Sequence, residues 1–73
     1  MMVTARKTEQ SATSVTYAYG FGEQLDQQLT IDTASGELLK ASASSSATGK
    51  IYLKIKRDWQ ATGEFPPGAV FAS

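Results

Sequence analysis

Val15, Tyr17, Tyr19 and Phe21 stand at alternate positions with Thr16, Ala18 and Gly20 between them. No other segment restricts the fold as much. Successive side chains of a strand point to opposite faces, so this spacing lines four large apolar groups along one face of a β-strand. That face needs cover, either from another element of the chain or, where the core cannot take all four groups, from a partner. Gly20 and Gly22 leave the other side bare near the strand's end, which suits a bulge, a turn or a close approach of backbone.

Two short β-prone runs follow, Leu25 to Asp32 and Glu37 onward, joined by Thr33-Ala34-Ser35-Gly36. A Ser-Gly turn between such runs reads as a hairpin in which Gly36 takes the positive φ that the longer hairpin loops require. Asp32 and Glu37 then face each other across its mouth, as a turn-capping carboxylate and a solvated one rather than as a calcium site. Residues 41–47, Ala-Ser-Ala-Ser-Ser-Ser-Ala, have no bulk to bury and read as a loop or a weak strand end.

From Lys50 to Thr62 two templates compete. Ile51, Leu53, Ile55 and Trp59 fit a strand, whereas Ile51, Tyr52, Ile55, Trp59 and Thr62 fit one face of a helix with Leu53 turned outward. Gly63 directly after the last periodic residue, and Pro66-Pro67 soon after it, are the punctuation of a helix C-terminus and favour the helix. Gly49 weakens its start. Phe65, Val70 and Phe71 are too apolar for a free tail, so the chain's end is expected to dock back on the domain.

Residues 1–12 mix Thr, Ser, Gln and charges without periodicity and read as a flexible arm ahead of a small globular domain over 13–73. The expected architecture is α+β: an antiparallel three-stranded meander over 13–21, 25–32 and 37–42, with a helix over 47–62 packed across the aromatic face. The alternative is an all-β, four-stranded sheet with its last strand over 50–57.

A chain of 73 residues buries only about 60% of the surface it exposes when unfolded, and domains this small often lean on disulfides, a metal or a second subunit. Here there is no Cys and no His, so disulfides and Cys/His zinc sites are excluded. Packing of Tyr17, Tyr19, Trp59 and the other large side chains, or self-association, has to supply the stability. Trp59 is read as a core anchor. No stretch of about 18 apolar residues and no apolar run of signal-peptide type occurs, so a cytoplasmic location without membrane contact is the expectation.

The same two absences narrow the chemistry. Ser/His/Asp and Cys/His nucleophile systems cannot be built, and the commonest general base is missing. Glu23 and Asp26 form the only close acidic pair outside the hairpin, and a chain this short has no room for a deep, water-excluding cleft around them. Gly20-Phe21-Gly22 and Ala47-Thr48-Gly49-Lys50 lack the spacing of nucleotide-binding loops. The expectation is a protein that is not an enzyme, with no cofactor, no metal and no small-molecule substrate.

Charge is sorted along the chain although the formal net charge is zero. Every charged residue between Thr8 and Leu39 is acidic (Glu9, Glu23, Asp26, Asp32, Glu37), and every one from Lys40 to Arg57 is basic. Lys50, Tyr52, Lys54, Lys56 and Arg57 are therefore the candidate partner-binding residues. As a helix, the segment runs Lys50, Lys54 and Arg57 along one side with Lys56 on another flank; as a strand, it puts Lys50, Tyr52, Lys54 and Lys56 on one face. The plain alternatives are a solvated face and a basic element screened by an acidic sheet beneath it. The function expected is a small interaction module of regulatory, adaptor or inhibitor type that binds a protein partner. The alternative is nucleic-acid binding through residues 50–57, against which zero net charge weighs.

Overall fold

The computed structural model describes residues 2–42 and 46–72. Its elements in chain order are β1 (Met2–Gln10), β2 (Ser14–Phe21), β3 (Gln27–Asp32), β4 (Leu38–Ala41), α1 (Ser46–Thr62) and β5 (Gly68–Ala72). The strands form one antiparallel sheet of five in the order β4-β3-β2-β1-β5, and the architecture is α+β.

The alternating segment is β2, and its inward row is the centre of the core: Val15, Tyr17 and Tyr19 are buried, with Leu29 and Ile31 of β3 beside them. Phe21 shares the alternation but pairs with Val3 at the sheet's end and stays 55% exposed. Asp32 and Gly36 build the β3–β4 turn. The Asp32 carboxylate accepts from Ala34 N–H at 2.8 Å, its backbone N–H donates to Glu37 O at 2.9 Å, and Gly36 adopts φ 76°.

The meander expected over 13–42 is two strands short. Residues 2–10, read from the sequence as a flexible arm, form β1 and pair with β2 on one side and β5 on the other. Its inward row, Val3, Ala5 and Lys7, is too mixed to display a period of two. Backbone hydrogen bonding to two neighbours holds it in place, and that bonding is indifferent to side-chain type. The docking expected of the last residues takes the form of β5, whose partner is this unforeseen strand.

Residues 50–62 are helical, so the alternative with a fourth strand over 50–57 does not hold. Helical spacing puts Thr48, Ile51 and Ile55 on the buried face of α1, with Tyr52 and Trp59 packed at its margin and Leu53 58% exposed. Gly63 ends the helix at φ 81°, its N–H returning to Trp59 O at 2.7 Å, the single-bond left-handed cap that glycine accepts without steric penalty. Of the low-complexity run, Ala41 ends β4, Ser46 and Ala47 open α1, and residues 43–45 lie outside the described residues.

Three tyrosine hydroxyls tie the layers together. Tyr19 Oη lies 2.6 Å from Thr48 Oγ1 at the start of α1, Tyr17 donates to Pro66 O at 2.6 Å just before β5, and Tyr52 reaches from α1 to Gly36 O at 2.6 Å. Each satisfies its polar tip at an otherwise apolar contact. Burial, aided by the Asp58 carboxylate, raises the Tyr17 pKa well above the ordinary tyrosine value. Among the described residues no helix is long and apolar enough to cross a membrane.

Candidate partner-binding surface

Helical geometry divides the five candidate residues between two flanks of α1. One turn is 3.6 residues, so Lys50, Lys54 and Arg57 fall on one side of the buried Ile51–Ile55 face while Tyr52 and Lys56 fall on the other. Lys50, Lys54 and Arg57 line a groove together with Leu53 and the β5 residue Phe71. Tyr52 and Lys56 face the β3–β4 turn instead: the Tyr52 hydroxyl donates to Gly36 O, and Lys56 Nζ sits 5.9 Å above the Tyr52 ring.

Lys50 Nζ lies 5.6 Å from the centre of the Phe71 ring, within cation–π range. Lys54 Nζ is 3.6 Å from Asp58 Oδ1, an exposed i, i+4 pair of the kind that contributes little to stability. It is the only ion pair among the described residues, so no carboxylate of the sheet is in direct ion-pair contact with the helix cations there. Glu23 and Asp26 lie exposed in the β2–β3 connection, and Asp32 and Glu37 flank the β3–β4 turn.

The groove encloses about 140 Å³, below the roughly 300–1,000 Å³ of sites that enclose a small molecule. Its lining combines the apolar Leu53 and Phe71 with the cations Lys50, Lys54 and Arg57. Among the described residues no three acidic side chains gather to hold a metal ion.

Leu53 and Phe71 are not among the candidate partner-binding residues read from the sequence. Leu53 carried a signal, an apolar residue that misfits the helical template, while Phe71 joins the groove only through the β1–β5 pairing.

Comparison with known proteins finds no matching family model, no similar curated protein and no similar solved structure.

Proposed function

We propose that this chain is a non-catalytic interaction module that binds an acidic protein segment along the Lys50–Lys54–Arg57 flank of α1. The observation that carries the reading is the meeting of these cations with the exposed Leu53 and the half-buried Phe71, with no acid of the sheet in ion-pair contact among the described residues. Charge of one sign beside apolar side chains steers an oppositely charged partner and gives it an anchor.

The same cations would meet phosphates, but Tyr52, the stacking aromatic of the nucleic-acid reading, lies on the other flank, and Phe71 in the groove is half-buried against the core. The Tyr52 hydroxyl is committed to Gly36 O. A protein partner is therefore favoured over nucleic acid.

The test is a selection from a displayed library of random linear peptides, followed by titration of the selected peptides at low and moderate salt with a single-stranded oligonucleotide as competitor. The reading expects peptides rich in Asp and Glu whose affinity falls with salt and drops at least tenfold in the Lys50→Glu/Arg57→Glu variant. Selection of no acidic peptide, or salt-dependent binding of the oligonucleotide alone, overturns it.

A further inference from the structure

The groove has a second wall whose chemistry differs from that of the helix. Among the described residues β5 is an edge strand, paired with β1 alone. Lys7 N–H donates to Pro67 O at 2.8 Å, which marks Lys7 and Pro67 as a hydrogen-bonded position of the ladder. Antiparallel ladders alternate, so in the observed register Ala5–Ala69 and Val3–Phe71 are hydrogen-bonded pairs while Arg6–Gly68, Thr4–Val70 and Met2–Ala72 are not. The N–H and C=O groups of Gly68, Val70 and Ala72 therefore point away from the sheet.

The two edges are protected unequally. β4 is only four residues long, its register is broken opposite Thr30 and Ile31, and it carries Lys40, all features that discourage a further strand. The β5 sequence Gly-Ala-Val-Phe-Ala has neither charge nor proline, and Val70 is 50% exposed on its outer face. An unguarded apolar edge is a template for strand addition.

We propose that β5 accepts the acidic segment as a sixth, antiparallel strand, its backbone bonding to Gly68, Val70 and Ala72 and its helix-facing side chains lying against Lys50, Leu53 and Arg57. This rests on the acidic-partner reading above and specifies its geometry. Alternation in the added strand sends every second side chain toward α1, so that row carries carboxylates around one apolar residue, and the other row lies beside Val70. A second copy of the chain is the wrong occupant. Antiparallel β5–β5 pairing relates the copies by a two-fold axis perpendicular to the sheet, which brings both helices to one side with their cationic flanks face to face.

The test uses a fluorescein-labelled octapeptide, Glu-Thr-Leu-Thr-Glu-Thr-Glu-Thr, with its Lys-for-Glu counterpart and a version N-methylated at alternate residues as controls. Val70→Pro removes an N–H that the β1 ladder does not use, and proline is tolerated on an edge, so the variant is expected to fold. The expected result is binding by the acidic peptide, at least a tenfold loss on Val70→Pro and on N-methylation, and slowed exchange of the Val70 amide in the complex. N-methylation acts on the peptide, so this arm holds even if the variant fails to fold. Binding that falls with Arg57→Glu but ignores both Val70→Pro and N-methylation overturns strand addition and leaves the acidic-partner reading standing. No binding by the acidic peptide overturns strand addition; with no acidic peptide recovered from the library either, both readings fall. A wild-type dimer that Val70→Pro makes monomeric names a second copy as the occupant and overturns the proposal.

Discussion

The indole of Trp59 is seated on Gly36, so close that a Cβ built on that glycine would overlap ring atom Cζ3. The contact closes the sheet against the last turns of α1, where Trp59 also stacks on Phe65 with ring centres 4.9 Å apart. Two independent demands fall on Gly36, since its φ of 76° also excludes most side chains. Gly36→Ala is expected to cost about 2–4 kcal/mol, strain and overpacking together, a large part of the stability of a domain this size. Urea denaturation of Gly36→Ala, Trp59→Ala and the double variant checks it. Additive effects in that cycle would mean that the two residues do not sense each other.

Two residues within one turn of α1 should respond very differently to truncation. Ile55 is fully buried and Leu53 is 58% exposed, so Ile55→Ala should lose about 2–5 kcal/mol and Leu53→Ala less than about 0.5 kcal/mol. Thermal unfolding of both variants is the measurement. Comparable losses would place Leu53 in the core and remove it from the groove.

Tyr17 should make the fold sensitive to alkali. Its pKa is raised in the folded protein by burial first and by Asp58 second, and its hydroxyl donates to Pro66 O. Above about pH 10 the unfolded chain releases a proton that the folded chain retains, so this contribution is fully present below pH 10 and declines as pH rises, at up to about 1.4 kcal/mol per pH unit. Urea midpoints at pH 8 and pH 11 should fall further apart in the wild type than in Tyr17→Phe. Equal pH dependence in the two proteins would contradict the assignment.

The two flanks of α1 should separate by mutation. Tyr52→Phe removes the bond to Gly36 O and should cost about 1 kcal/mol of stability while leaving affinity for an acidic peptide within twofold of wild type. Arg57→Glu should do the reverse. Loss of peptide affinity in Tyr52→Phe would put the aromatic back into the binding surface.

Much of this architecture is visible in side-chain spacing. β2, the β3–β4 hairpin with Gly36 at its turn, and a helix stopped by Gly63 all declare themselves because one face of each element is buried and a repeating pattern records it. β1 leaves no such record. Its inward row runs from Val3 through Ala5 to Lys7, whose ammonium leaves the core for Gln10 Oε1 and Phe65 O. The cations of the candidate surface are legible as a cluster, but their division into Lys50, Lys54 and Arg57 against Tyr52 and Lys56 depends on which side of α1 faces the sheet.

The sequence by itself determines the aromatic strand, the amphipathic helix and the absence of cysteine and histidine chemistry, because each is a property of which side chains occur and how they are spaced. Only the tertiary structure decides that α1 carries the chain from β4 at one edge to β5 at the other, beside β1. Ladder hydrogen bonds form between any two backbones, so which strands pair is decided by how the whole core closes. That closure leaves β5 as the open edge beside the basic flank of α1.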